Sequence, residues 1–466
     1  MTRPGSAGRP LRVAVVGAGP AGYYAADHLL RQEGVVVEVD MFDRLPTPYG
    51  LVRAGVAPDH QKIKAVTAAF DKVASHPRFR FYGCVELGKE LSVEDLKRHY
   101  HQILYSTGAQ TDRRMGIPGE DLHGSHPATE FVAWYNGHPD YRDLTFDLSQ
   151  ERVAIVGVGN VAVDVARILC RTPEELATTD IADHALEALR ASRVREVYLL
   201  GRRGPAQAAF TNPEIKELGE LPGADIVVLP EEAALDDLSR AEVEKSGDRA
   251  TLKKVEILAE YARRPPTGKP RRLVLRFLVS PVEILGDERG RVVGLRLARN
   301  RLVAGETGSL SAKPTGETEE LRVGLVFRSV GYRGVPLPGV PFNESFGVIL
   351  NEKGRVLDQD TRQPRVGEYV AGWIKRGPTG VIGTNKPDAA ETVACMVEDV
   401  EAGRVLDPPE PDAAAADRLV RLRQPQCVSY ADWKRIDAIE VARGRPAGRP
   451  RVKFTRLADI QSALGR

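Results

Sequence analysis

The sequence predicts an α/β chain built on two glycine-rich strand–turn–helix units, the second lying inside the domain that the first begins. Three observations predict it. The run Leu11-Arg12-Val13-Ala14-Val15-Val16 leads straight into Gly17-Ala18-Gly19-Pro20-Ala21-Gly22. A second strand, Arg152-Val153-Ala154-Ile155-Val156, leads into Gly157-Val158-Gly159-Asn160-Val161-Ala162. Strand-into-glycine endings at Ser106-Thr107-Gly108 and Ser329-Val330-Gly331 mark two places where the chain crosses between domains. A length of 466 residues is too great for one core and suggests two or three domains.

In the first unit, G-x-G-x-x-G follows a predicted strand and opens a predicted helix over 23–31. Gly17 permits the tight turn, Gly19 lets backbone approach a pyrophosphate, and Gly22 lets helix and strand pack closely. Amides of the helix's first turn, with the helix dipole behind them, attract phosphate charge. The next strand, 35–43, closes on Asp43, somewhat beyond the usual spacing of about 20 residues for an acid that accepts a ribose diol. Residues 44–60 hold three prolines and two glycines and form a shaped loop at the strand end, where ligands sit in such sheets. A helix is expected over 61–75, strands over 78–82 and 101–106, and a short helix over 93–99.

The second unit has the G-x-G-x-x-A form, with its helix over 163–170 and a helical insertion over 171–192. Its next strand, Glu196-Val197-Tyr198-Leu199-Leu200, ends in Gly201-Arg202-Arg203-Gly204-Pro205 and carries no acid. An arginine pair suits a ribose bearing a 2′-phosphate, which a carboxylate would repel; a solvated basic loop is the plainer alternative. From about residue 253 to 300 the pattern reads as β, with strands over 273–279 and 292–296, preceded by a basic stretch from Lys253 to Arg272. That stretch is either a solvated face or a partner surface. The segment 369–385 places Trp373 and the glycines Gly377, Gly380 and Gly383 ahead of a helix over 386–402. Beyond Val405 the chain is Pro- and Ala-rich with two or three short helices and no chemistry of its own.

The bulk numbers exclude more than they assign. Hydrophobic residues make up 42% and charged ones 28%, and the formal net charge is +2, so nucleic acid is not indicated. Cys84, Cys170, Cys395 and Cys427 form no C-x-x-C pair, which removes the common dithiol, zinc and iron–sulfur spacings and leaves buried thiols in a reducing cytoplasm. Residues 1–10 read as a loose tail rather than a signal peptide, and no run of about 18 apolar residues exists.

One acid-ended and one arginine-ended unit imply two different dinucleotides, FAD at the first and NADP at the second. Hydride moves between nicotinamide and flavin without a protein nucleophile, so the protein supplies orientation and electrostatics. The segments Gly17–Gly22, Pro48-Tyr49-Gly50-Leu51-Val52-Arg53, Gly55-Val56-Ala57-Pro58-Asp59-His60, 157–169, Gly201-Arg202-Arg203-Gly204-Pro205 and 372–385 resemble the adrenodoxin reductase family of ferredoxin–NADP reductases, the mycobacterial-type enzymes included. The likeness runs from about Arg12 to Lys453.

The resemblance implies two Rossmann-like dinucleotide-binding domains, with an NADP domain (109–331) inserted into a discontinuous FAD domain (1–108 and 332–466). It implies FAD contacts at Gly17, Gly19, Ala21, Gly22, Asp43, Leu51 and Val85, with Trp373 beside the isoalloxazine and the backbone of Gly380, Val381 and Ile382 at its polar edge. For NADP it implies Val158, Gly159, Asn160 and Val161 at the pyrophosphate, Arg202 and Arg203 at the 2′-phosphate, and Glu214 and Gly380 near the nicotinamide. His60, Glu214 and Asp164 are the expected catalytic residues, with His60 meeting Asp164 across the domains, and no metal is called for. Asp43 stands where the family often has Glu, and Tyr49 where Trp or Phe is usual. The implied reaction passes hydride from NADPH to FAD and then single electrons to a transient, acidic, ferredoxin-type iron–sulfur protein. A monomer without a transmembrane segment is expected. Two other classes share parts of this pattern. An electron-input subunit of an amidotransferase-type complex would carry an N-terminal cysteine-rich cluster domain, and a disulfide reductase or oxidase would normally carry C-x-x-C.

Overall fold

The computed structural model describes residues 3–306 and 308–466. The chain divides into two compact units, Met1–Thr111 with Gly331–Arg466, and Asp112–Val330.

The first unit is organised on an eight-stranded sheet. Its order is Asn351–Glu352, Arg355–Leu357, Pro364–Val370, Gln102–Tyr105, Leu11–Val16, Val37–Asp43, Phe79–Gly83 and Val428–Ser429. The five central strands are parallel and the outer ones antiparallel. Val13 and Val15 face one apolar cluster, while Ala14 and Val16 face another. Burial on both faces explains why this strand reads as a continuous apolar run instead of an alternating one. Chain order reverses between Leu11–Val16 and Gln102–Tyr105, and a crevice for ligands opens at such a point, beyond the strand carboxyl ends.

The second unit repeats the device. Ser125–Pro127, Leu325–Arg328, Arg152–Val156, Glu196–Leu200, Arg271–Arg276 and Ala224–Val228 form an all-parallel six-stranded sheet. Val153 and Ile155 again point to one cluster and Ala154 and Val156 to the other. A separate antiparallel sheet of Val279–Gly286, Val292–Ala304 and Leu310–Leu321 packs on this unit.

Several sequence expectations need correction. Residues 253–263 are not β: they belong to the helix Arg249–Arg263, capped by Asp248, whose carboxylate accepts from Ala250 N and Thr251 N. The strand expected over 273–279 is two strands of different sheets, separated where Leu278 adopts a positive φ of 56°. The helix expected over 61–75 is broken into Gln61–Lys64 and Thr67–Ala74. Of the tail, Met1 and Thr2 lie outside the described residues. The remainder is tied down: Ser6 and Arg9 form a β-bridge, and the Gly5 carbonyl accepts from Val36 N at 2.7 Å. The basic stretch is largely engaged within its own unit. Lys254 Nζ donates to Ala208 O at 2.5 Å, Lys269 Nζ to Leu221 O at 2.7 Å and Arg264 to Gly219 O at 2.7 Å, and Arg272 pairs with Glu196. The four cysteines are buried and free, and burial pushes the Cys84, Cys170 and Cys427 thiols up to about 12. Among the described residues no helix is long and apolar enough to cross a membrane.

Candidate nucleotide sites

In the first unit the helix Pro20–Leu30 starts at Gly19, whose backbone is extended and whose first-turn amides receive no side-chain cap. A Cβ on Gly19 would meet nothing within 4 Å. Bare donors and open space are what a pyrophosphate requires. Gly17 sits at φ +107°, and a Cβ there would lie 2.6 Å from the Ser106 carbonyl oxygen. The turn is thus closed against the strand end behind it. At Gly22 a Cβ would lie 2.3 Å from Gly17 O, which gives the third glycine its packing reason.

Asp43 ends its strand beside this turn and accepts from Ala18 N at 2.8 Å and Leu45 N at 2.9 Å. Burial raises its pKa, and those two amides hold it back. Each oxygen keeps a further lone pair for a diol, so the shorter acid serves its own loop first. Val85, buried, donates its amide to Asp43 O at 2.9 Å, and Leu51 is 36% exposed in the short helix Leu51–Ala54.

Gly372, at φ +82°, passes so close to the first turn that a Cβ on it would lie 2.5 Å from the Ala21 Cβ. Its amide donates to Asp388 Oδ2 at 2.5 Å. Trp373 follows, half-buried, with Nε1 donating to Thr379 O at 3.1 Å and its ring 5.5 Å from that of Tyr332. Gly380 and Val381 are exposed, and Ile382 packs on the cluster that contains Ala18 and Ala21. His60 caps the short helix Gln61–Lys64 and accepts on its carbonyl from Ile63 N at 3.1 Å.

The second unit shows the same cradle. Gly159 starts the helix Asn160–Cys170 in extended conformation with no side-chain cap, and a Cβ there would also meet nothing within 4 Å. Val158 O accepts from Ala209 N and Phe210 N at 3.1 and 3.0 Å, and Asn160 Oδ1 accepts from Thr211 N at 3.1 Å. These bonds fasten the turn to the segment leading into Glu214. Val161 is half-buried in the first turn of the helix. Arg202 is exposed and Arg203 half-buried, and among the described residues no carboxylate pairs with either. Their backbones are fixed instead: Asn300 Nδ2 donates to Arg202 O at 3.0 Å and Leu278 N to Arg203 O at 3.1 Å.

Sequence reasoning missed Arg167. It is fully buried, and its guanidinium reaches Asp164 at 2.6 Å, Glu214 at 3.4 Å and Glu217 at 3.7 Å. Asp164 and Glu214, which the sequence treats separately, therefore share one cation. The only sequence signal was the i, i+3 spacing of Asp164 and Arg167, a common helix pair. His60 and Gly380 belong to the first unit and Asp164 and Glu214 to the second.

Residues 11–200 match the pyridine nucleotide-disulphide oxidoreductase family model. The chain is 47% identical over 460 residues to the NADPH-ferredoxin reductase FprA of Mycobacterium tuberculosis, covering 97% of this chain and 98% of that one. The chain belongs to the ferredoxin–NADP reductases of the adrenodoxin reductase family. A probable ferredoxin/ferredoxin–NADP reductase of Mycobacterium tuberculosis is 50% identical over 463 residues, 98% of this chain and 76% of that protein. The mitochondrial NADPH:adrenodoxin oxidoreductase of Arabidopsis thaliana is 43% identical over 466 residues, covering 98% and 95%. The solved structure of Mycobacterium tuberculosis FprA in complex with NADPH superposes with a TM-score of 0.92 at 47% identity, covering 98% and 100%. In a ferredoxin–NADP reductase the two open, uncapped turns have the donor chemistry that two dinucleotides demand.

Proposed function

We propose that the first unit holds FAD and the second NADP(H), and that the chain is an FAD-dependent ferredoxin–NADP reductase. The observation that carries the assignment is the difference between the two turns. One is closed by the carboxylate Asp43 and the other by two arginines that have no carboxylate partner among the described residues. FAD, when bound, couples a two-electron hydride donor, NADPH, to a one-electron iron–sulfur acceptor.

The residues' parts follow from their chemistry. The amides of the Gly17–Gly22 turn and of Val158, Gly159, Asn160 and Val161 take up pyrophosphate charge at the two helix starts. Asp43 accepts the ribose diol of the first nucleotide, and Leu51 and Val85 line its path. Arg202 and Arg203 select a 2′-phosphate, through forked donors that a carboxylate does not compete for. Trp373 shields one face of the flavin ring from water, and the backbone of Gly380, Val381 and Ile382 addresses its polar edge. Glu214 and Asp164, held by Arg167, orient the nicotinamide end of NADP. His60 belongs to the same reaction.

The partner class is a ferredoxin-type iron–sulfur protein. Cys84, Cys170, Cys395 and Cys427 lack the spacing to hold a cluster in this chain, so the cluster arrives on another molecule. An acidic partner that binds briefly, a monomeric reductase and a cytoplasmic location complete the proposal. Ferredoxin-dependent cytochrome c reduction should fall steeply with rising salt, because charge-steered docking is screened, while NADPH–ferricyanide turnover falls much less. Equal salt responses, or no acceleration by any ferredoxin, would refute the electron-transfer reading.

A further inference from the structure

The C-terminal segment, which the sequence presents as chemically silent, carries two buried polar anchors aimed at the loop 44–60. Tyr49 is 5% exposed and sits at φ +84°, a backbone state that a bulky residue keeps only when its surroundings hold it there. Its amide donates to Ala18 O, inside the glycine turn, at 2.8 Å. The following Gly50 lies so close that a Cβ on it would stand 2.9 Å from Gly19 Cα. The loop and the turn are therefore one construction.

What holds Tyr49 is behind it. Its hydroxyl donates to the Asp71 carboxylate and accepts from Trp433 Nε1 at 3.3 Å. Asp71 also accepts from Tyr430 OH at 2.5 Å. Trp433 and Tyr430 both belong to the C-terminal helix Tyr430–Gly444. Four residues after Tyr49, Arg53 makes a two-pronged pair with Glu440 of the same helix, at 2.6 and 2.8 Å, and its guanidinium lies 5.0 Å from the centre of the Trp433 ring. Glu440 is fully buried and accepts also from Phe454 N at 2.8 Å and Arg451 at 3.2 Å.

We propose that the helix Tyr430–Gly444 is part of the flavin-holding apparatus, with Trp433 and Glu440 acting as positioning residues that lock Tyr49 and Arg53 and so keep loop 44–60 on the Gly17–Gly22 turn. The inference rests on the assignment of FAD to the first unit. A phenol at position 49 is what makes the lock polar. Phe there would leave both Asp71 and the Trp433 N–H short of a partner.

The test measures FAD binding to the full chain by flavin fluorescence, together with the thermal midpoint of the apoprotein. Glu440→Gln should raise the FAD dissociation constant about 10- to 100-fold, the range that loss of charge-assisted hydrogen bonding gives. Tyr49→Phe, the gentler variant, should raise it about 3- to 10-fold by the same arithmetic and change the fluorescence of the bound flavin. Ser429→Ala is the control. It removes the capping box of the same helix and lowers the thermal midpoint, but it leaves both anchors in place, so FAD affinity should stay within about twofold. If Glu440→Gln does not fold, Tyr49→Phe decides alone. Unchanged FAD affinity in Tyr49→Phe, or affinity losses that merely follow the thermal midpoint across all three variants, would overturn the inference. Failure of the unaltered chain to bind FAD would instead overturn the assignment on which it rests.

Discussion

Replacing Arg202 and Arg203 together by Ala should convert this chain from an NADPH-preferring reductase to one that hardly distinguishes NADPH from NADH. The structure makes the perturbation clean. Both side chains lack carboxylate partners among the described residues, and the unit uses their carbonyls, held by Asn300 and Leu278, rather than their guanidiniums. The Arg203 guanidinium reaches the Gln207 carbonyl at 3.5 Å. Charge-assisted contacts to phosphate contribute about 1.5–3 kcal/mol where water is partly excluded. Arg203 is half-buried and falls at the lower end, about 1.5–2 kcal/mol, whereas exposed Arg202 is screened to about 0.5–1 kcal/mol. The sum, about 2–3 kcal/mol, is a factor of about 30 to 150 in the KM for NADPH. The assay is steady-state ferricyanide reduction with each nucleotide, with circular dichroism as a check on folding. KM for NADH should change by less than about twofold. Equal losses with both nucleotides would show that the pair supports the fold and does not read the 2′-phosphate.

Three further outcomes are expected. Asp43 should accept the FAD ribose as a carboxylate, and burial has raised its pKa above the ordinary 3.8. Diol donors favour the ionised form, so FAD affinity should rise with pH through the raised pKa and then level off, and Asp43→Asn should flatten the profile; an unaltered profile in that variant would exclude the role. Arg167→Met should lower stability in urea unfolding by about 3 kcal/mol, because Asp164 and Glu214 lose their buried cation, and a loss below about 1 kcal/mol would show that water compensates. His101 is fully buried with Nδ1 accepting from Arg12 N, and burial lowers its pKa from 6.5 to about 4. The unfolded chain takes up that proton first, so stability should fall as pH drops from 6.5 to about 4 by about 3 kcal/mol, and His101→Gln should remove most of this slope in acid unfolding titrations.

The parts of the molecule legible in its sequence are those where one residue type answers a local steric demand. Gly17 and Gly157 announce turns that no side chain fits, and the β-branched runs before them announce strands buried on both faces. The strand-end places of Asp43 and the Arg202–Arg203 pair were legible because the strands before them lie at a known distance from those turns. Legibility failed where the cause was tertiary. Nothing local marks Arg167 as the cation shared by Asp164 and Glu214, since Glu214 arrives from 47 residues away. The helix Arg249–Arg263 was misread because its charged residues hide the apolar face formed by Ile257, Leu258 and Tyr261. Asp43's two backbone hydrogen bonds, and the anchors Glu440 and Trp433, depend on partners that pattern alone cannot pair.

The two turns, compared atom by atom, suggest why one architecture can serve two nucleotides. In each, the first glycine has a positive φ and is backed by the carbonyl of a serine: Ser106 behind Gly17 and Ser329 behind Gly157, at 2.6 and 2.2 Å from an added Cβ. In each, the middle glycine is the uncapped start of an eleven-residue helix and faces open space. The third position differs. Gly22 is crowded by Gly17 O and by Ser106 Oγ, which also donates to Gly17 O at 2.9 Å, whereas Ala162 fits fully buried. The helix of the first unit thus sits closer to its turn than the second unit requires. The phosphate cradle is common to both, and neither turn by itself names its ligand. The strand ends beside the two cradles differ: a carboxylate is fastened by two amides in one unit, and in the other two guanidiniums have no carboxylate partner among the described residues. Exchanging those strand-end residues, and not the glycines, is therefore the change that should move nucleotide preference.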